Sequence, residues 1–279
     1  MVRIISDTST MYNSTQAREA GFTVAPLSVT INAQTYRELD EINDEQFVAI
    51  INEGHMPKSS QPAIGEVLEI YESFSEDEII NISMADGLSG TYSSAVAAAQ
   101  MYDHAEKITV INSRTLCGPH RRMVETAARL ANGGSGKEQI LAAMEKMMES
   151  AKSFLLPDDF DYLRRGGRLS PLVSFVGKTI RFVPILTQTE DGRQLTMASI
   201  KRSDKQAFAY LSKVLADHGV GAGWRIDVTH AAAPDRAQRA KDALAEAFPD
   251  AVIEVLPLTP AFITQGGPGC IAVQVIKEL

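Results

Sequence analysis

The sequence predicts an α/β protein of two lobes, the first built on a mainly parallel sheet and the second an α+β unit with a mixed or antiparallel sheet. Three observations carry this reading. Over roughly the first 150 residues, short β-branched apolar runs alternate with segments of helical periodicity, the pattern of βα units. Beyond Lys152, PILTQ-TEDGR-QLTMAS alternates across Asp191-Gly192 as a β-hairpin, which brings in antiparallel pairing. The length of 279 residues exceeds that of a typical single domain. The lobe boundary is placed at residue 151, giving lobes 1–151 and 152–279 with a ligand tunnel between them.

Val2–Ile5 reads as the first strand and ends in the hydroxyl-rich turn Ser6-Asp7-Thr8-Ser9-Thr10. Loops at strand C-termini line the ligand crevice of an α/β sheet, which makes Thr8 a candidate for tunnel or partner contact. An Asp or Ser helix cap explains the same turn. A short helix to Gly21, an extended TVAPLSVTI and a helix over 44–53 follow, the last with Phe47, Val48, Ile50 and Ile51 on its apolar side. HMPKSSQPA (55–63) is a turn-rich loop that sets Ser59 and Ser60 at the entrance of a helix carrying Val67, Leu68, Tyr71 and Phe74.

Ile79, Ile80 and Ile82 form a buried strand, and the helical run TYSSAVAAAQMY begins at Thr91. The join between them, GLSGT, holds Gly87, Ser89, Gly90 and Thr91. Backbone amides, hydroxyls and close approach are available together, which suits an anion. A tight βα turn with a helix cap accounts for the loop equally well. Asp86 opposes an anion unless its charge is turned away. A Walker loop is excluded because Gly90, not Lys, precedes Thr91, and a nucleophile elbow because the second glycine comes one residue early.

KITVI (107–111) is the next strand. Helices over 119–131 and 137–150 follow, where Met144, Met147 and Met148 are read as core filler. The second half runs as the strand SFLLP, the short helix DDFDYLRR, the basic turn RRGGR, the hairpin, a helix over 204–217, the strand WRIDVTH, a helix over 235–247, and the strands AVIEVL and CIAVQVI. Asp158, Asp159 and Asp161 are read as a solvated helix start rather than a metal site.

The net charge of -8 excludes wholesale binding to nucleic acid or an anionic membrane, so basic contacts must be local. Cys117 and Cys270, far apart and without a C-x-x-C partner, indicate neither zinc nor a disulfide framework. The chain opens on a strand with no basic-then-apolar leader, and nowhere do 18 apolar residues run together; a cytoplasmic protein is expected. No cofactor is indicated.

Six ordered motifs resemble one known family, the DegV proteins: the early Ser-Asp-Thr turn, SSQPA (59–63), GLSGTYSSA (87–95), YLRRGGRLS (162–170), PILTQTEDG (184–192) with the following IKR, and a closing GGPG (266–269). The resemblance spans nearly the whole chain. It implies two lobes with one extended long-chain fatty acid in a tunnel between them, and an acyl carrier rather than an enzyme. A separate ATP-dependent fatty acid kinase would convert the bound carboxylate to an acyl-phosphate. By motif, the carboxylate falls to Ser89 and Gly90, with Ser59 and Ser60 beside them. Gln265 occupies the place of a family histidine, and Ser59 and Ala63 replace the Thr and final Ser of T-S-Q-P-S. Gln donates only a neutral hydrogen bond, and a charge-assisted one is about twice as strong. Arg164, Arg165, Arg168 and Arg202 form a basic region for the tunnel, the kinase or transient contact with phospholipid headgroups; a solvated face with surface salt bridges explains them equally well. Two competing classes are a serine hydrolase using Ser89, which requires one of His55, His104, His120, His218 or His230 as base, and a module for another small anion such as a sugar or phosphate.

Overall fold

The computed structural model describes residues 1–171 and 182–279. Its strands in chain order are β1 (Val2–Asp7), β2 (Thr23–Ala25), β3 (Ser28–Ile31), β4 (Gln34–Arg37), β5 (Lys58–Ser60), β6 (Glu78–Ser83), β7 (Ile108–Asn112), β8 (Lys152–Leu156), β9 (Val183–Gln188), β10 (Leu195–Lys201), β11 (Trp224–His230), β12 (Val252–Pro257) and β13 (Ile271–Lys277). The α-helices are α1 (Ser14–Glu19), α2 (Asp44–Asn52), α3 (Ile64–Glu72), α4 (Thr91–Met101), α5 (Cys117–Asn132), α6 (Lys137–Ser150), α7 (Phe160–Gly166), α8 (Asp204–Asp217), α9 (Pro234–Ala247) and α10 (Pro260–Gly266).

β2-β1-β6-β7 form a wholly parallel sheet. β6 is apolar from Ile79 to Ile82 except at Asn81, because helices cover both faces. On one face Val67, Tyr71 and Ala98 of α3 and α4 pack on Ile5 and Ile79; on the other, α5 and α6 pack on Ile4, Ile80 and Ile82. Met144 and Met147 are fully buried in that second cluster, as core. Asn13 and Asn43 make capping boxes with Gln16 and Gln46, which start α1 and α2 where the sequence places them.

The second sheet has the order β10-β9-β8-β13-β11-β12 and is mixed: only β11 and β12 run parallel. α8 and α9 cover one face through Phe208, Leu211, Leu215, Ala237 and Leu244. The opposite face meets α5 and α6 through β11 and β13.

The structure corrects the reading in three places. TVAPLSVTI is two strands, because Pro26 has no N–H to continue a ladder, and its second part joins an antiparallel sheet of order β4-β3-β5. KSS is therefore a strand paired to β3 rather than a loop. Pro260–Gly266, unassigned from the sequence, is the helix α10, with its proline in the first turn where no donor is needed.

The sheets are clamped on one side by ions. Arg122 Nη2 of α5 donates to Asp227 Oδ1 of β11 and to Glu254 Oε2 of β12, each at 2.6 Å, while Nη1 reaches Glu125 Oε2 at 3.1 Å. α5 approaches β11 so closely at Gly118 that a Cβ there would lie 2.4 Å from that of Asp227.

Candidate functional site

In the parallel sheet β1 is flanked by β2 on one side and β6 on the other, so the strand order reverses there, and ligands bind outside the strand ends at such a switch. The Asp7 carboxylate ties the two strand ends together: Oδ2 accepts from the Met84 amide at 3.0 Å and Oδ1 from Ser9 at 2.9 Å. From Met84 the GLSGT loop runs out over the second sheet. Gly87 is forced there twice, by φ +90° and by Arg193, whose Cβ would be 2.6 Å from an added Cβ. Arg193 Nη1 donates to Asp86 Oδ2 at 2.5 Å, so the carboxylate that opposed an anion is neutralised by the hairpin.

Between this loop and the mixed sheet lies a cavity that is partly open to solvent. Its walls are mostly apolar. Leu155 of β8, Leu186 of β9 and Ala272 of β13 stand in one register row, with Met84, Leu116 and Phe262 across from them. Among the lining groups the polar side chains are Arg168, Gln265, Ser153, Gln188 and Gln274. Gln274 is spent internally, donating to Leu116 O and Ser153 Oγ at 2.9 Å each and accepting from Gly118 N.

Among the described lining residues, Arg168 carries the one cationic side chain. Its Nε donates to Leu88 O at 3.0 Å and Nη1 to Gly166 O; among the described residues it has no carboxylate partner. Burial lowers its pKa, the sign of a cation short of counter-charge. Gln265, on α10, donates through Nε2 to Ser59 Oγ at 2.9 Å.

The five predicted carboxylate residues fare differently. Ser59 and Gln265 are in contact. Gly90 lies against Gln61 of the SSQPA loop, whose Cδ would stand 2.9 Å from an added Cβ, so the two motif loops touch. Ser89 Oγ pairs with Thr91 Oγ1 at 2.8 Å and accepts from Thr91 N at 3.3 Å, at the start of α4. Ser60 departs from the expectation: neighbouring strand residues point to opposite faces, so it is exposed and turned away from the side on which Ser59 meets Gln265. Thr8 departs too. It is fully buried, donates to Glu38 Oε1 at 2.5 Å and accepts from Leu27 N, and it lines neither cavity nor surface. Arg164, Arg165 and Arg202 are exposed; Arg164 bonds Asp161 Oδ1 at 2.6 Å and Arg165 lies over the Tyr162 ring. Asp159 caps α7 by accepting from Asp161 N.

Among the described residues no histidine hydrogen-bonds Ser89. His120 does meet serines, with Nε2 2.9 Å from Ser6 Oγ and Nδ1 3.0 Å from Ser113 Oγ, but all three are buried, and burial lowers the histidine pKa. That network holds the strand ends together. Cys117 and Cys270 are free, buried and in the cavity wall, with thiol pKa values pushed up by burial, Cys270 to about 12. Their placement there was not legible in the sequence.

Sequence reasoning also missed Glu38. Its carboxylate, wholly buried, accepts from Thr8 and, at 2.8 Å, from the Ala261 amide in the first turn of α10, and so positions the helix that carries Gln265. Burial raises its pKa to about 7 against the opposing pull of these bonds. Among the described residues, no helix is long and apolar enough to cross a membrane.

Comparison with known proteins agrees with this architecture. The family model described as "Uncharacterised protein, DegV family" matches residues 1–278. A DegV domain-containing protein of Staphylococcus aureus (strain N315) is 30% identical over 281 residues, covering 99% of this chain and 98% of that protein. Among solved structures, DegV from Bacillus subtilis, described as a fatty acid binding protein, superposes with a TM-score of 0.86 at 27% identity, covering 99% of each chain. A DegV family protein from Eubacterium eligens, loaded with heptadecanoic acid, shares the fold with a TM-score of 0.85 at 21% identity and full coverage of both chains. The chain belongs to the DegV family.

Proposed function

We propose that this DegV-family chain binds one long-chain fatty acid in the cavity between its two lobes, 1–151 and 152–279, and presents the carboxylate to a separate ATP-dependent fatty acid kinase. The observation that carries the reading is an apolar cavity whose wall holds a guanidinium, Arg168, with no carboxylate partner among the described residues. Each buried methylene contributes about 0.8 kcal/mol, so a long chain is retained tightly once its charged end is satisfied. The Bacillus subtilis relative, described as fatty acid binding, supports the same ligand class.

Arg168 supplies the counter-charge. Ser89 supplies a hydroxyl: when Thr91 Oγ1 donates within their pair, the Ser89 proton is free for the ligand. Gly90 and Ser59 connect to the cavity through neighbours: Gly90 lies against Gln61, and Ser59 holds the lining residue Gln265. The protein carries and orients the acid without transforming it, and the phosphoryl group comes from the kinase. The exposed Arg164, Arg165 and Arg202 fit an acidic partner surface, or phospholipid headgroups during exchange.

Denaturing mass spectrometry of the purified protein tests the ligand, with a co-purified long-chain acid expected. After delipidation, a fluorescent fatty acid should bind and be displaced by oleate. A protein that neither retains nor rebinds such acids would overturn the reading.

A further inference from the structure

We infer that Asp86 and Arg193 are positioning residues for the carboxylate grip: their ion pair aims the Arg168 guanidinium, acting through Leu88. The inference rests on the fatty acid reading above and concerns only how its counter-charge is held. Three contacts close a ring around Arg168. Leu195 N donates to Arg168 O at 2.8 Å, which ties the arginine backbone to the start of β10. Arg168 Nε donates to Leu88 O at 3.0 Å, which ties its side chain to the GLSGT loop. Two residues from each of those points, Arg193 Nη1 donates to Asp86 Oδ2 at 2.5 Å and completes the ring. Arg168, Leu88 and Leu195 line the cavity; Asp86 and Arg193 do not.

The loop has little else to hold it to the second lobe. Among the described residues, the polar contacts of residues 84–90 with residues 152–279 are these two, Asp86 with Arg193 and Leu88 O with Arg168, and no backbone–backbone hydrogen bond joins the loop to the hairpin. Its other anchors, Met84 N on Asp7, Ala85 N on Thr115 O and Asp86 N on Asn112 Oδ1, all lie within the first lobe. They fix the root of the loop and not its distance from the hairpin. The ion pair sets that distance, drawing Gly87 onto the Arg193 backbone so closely that an added Cβ would stand 2.8 Å from Cα and 2.9 Å from the carbonyl oxygen.

Arg168 depends on the same distance. Nη1 donates to Gly166 O and Nε to Leu88 O, which leaves Nη2 for a ligand oxygen. A guanidinium is a rigid planar fork, so losing the Nε anchor turns the whole group, Nη2 with it. The ion pair itself adds little to fold stability, because the Arg193 side chain is 56% exposed and pairs in water are weak. Its effect falls on the aim of the half-buried cation.

The test compares myristate with its alcohol, tetradecanol, on the delipidated full chain, by displacement of a fluorescent fatty acid whose own affinity is measured for each protein. Asp86→Asn and Arg193→Gln remove the ion pair, the first without changing side-chain shape. Each should weaken myristate about three- to tenfold, the worth of one hydrogen bond. Tetradecanol should bind as before, since a neutral hydroxyl gains much less from a guanidinium than a carboxylate does. In an Arg168→Gln background, Asp86→Asn should cost myristate nothing further. Where one variant does not fold, the other decides. Undiminished myristate affinity, an equal loss for tetradecanol, or a further loss in the Arg168→Gln background would each overturn the inference and leave the fatty acid reading standing. An unmodified protein that binds neither myristate nor the fluorescent acid would overturn both.

Discussion

Gln265 of α10 donates from Nε2 to Ser59 Oγ of β5 across 2.9 Å and 206 residues of sequence. This contact fixes a cavity-lining amide from the C-terminal half against a motif loop of the N-terminal half. Ser59→Ala should release the amide and weaken fatty acid binding by about 1 kcal/mol, the net worth of one such bond. Ser60→Ala should change nothing, since Ser60 faces solvent. Displacement titrations of both variants check the pair, and equal losses would remove Ser59 from the site.

Arg168→Gln should weaken binding more than Ser89→Ala does. The arginine substitution removes the counter-charge, and each substitution deletes a hydrogen bond to a charged group worth about 1.5–3 kcal/mol. Arg168→Lys, which keeps the charge but loses the fork to Leu88 O and Gly166 O, should fall between wild type and Arg168→Gln. Melting curves with and without oleate read all three. An undiminished ligand-induced shift in Arg168→Gln would exclude it as the counter-ion.

Glu38 sets a pH dependence of stability. Its folded pKa, about 7, lies above the ordinary carboxylate value, so the folded state holds a proton that the unfolded state has released. The contribution is fully present below the unfolded pKa and is lost as pH rises to about 7, a change on the order of 3 kcal/mol. His120 acts in the opposite sense, because its depressed pKa makes the unfolded state the better proton binder as pH falls through the unperturbed value near 6.5. Glu38→Gln should remove the first effect and leave the second, so that the variant gains stability relative to wild type as pH is raised from 5 to 8. Urea denaturation across that range decides it; parallel curves for the two proteins would assign Glu38 an ordinary pKa.

Arg122→Met should destabilise the fold by about 3–5 kcal/mol, because Asp227, buried beneath it, is left without its cation. Asp227→Asn in the same background should recover part of the loss, and palmitate affinity of the folded fraction should hold, since neither residue lines the cavity. A variant as stable as wild type would show that water reaches Asp227.

Most of the architecture is written locally. The apolar run of β6, the asparagine caps of α1 and α2, the buried methionines of α6 and the Asp191-Gly192 turn each state their conformation within a few residues, and the structure follows them. The motif loops are equally legible as loops of a known family. The sequence does not encode locally what depends on pairing at a distance. KSS becomes a strand only because β3 offers it a ladder, and that pairing turns Ser59 toward Gln265 and Ser60 to solvent. The helix α10, short and without a side-chain cap, is held at its first turn by a carboxylate 223 residues away. Cys117, Cys270, Leu155 and Leu186 read as ordinary core residues until the loops after β6 and β7, with α7 and α10, close over the mixed sheet and leave a cavity there. The sequence determined the elements and the family. Which polar groups stand unpaired around the cavity, and so what it can hold, was decided by tertiary packing, because burial and the absence of a partner are properties of the folded neighbourhood and not of any residue alone.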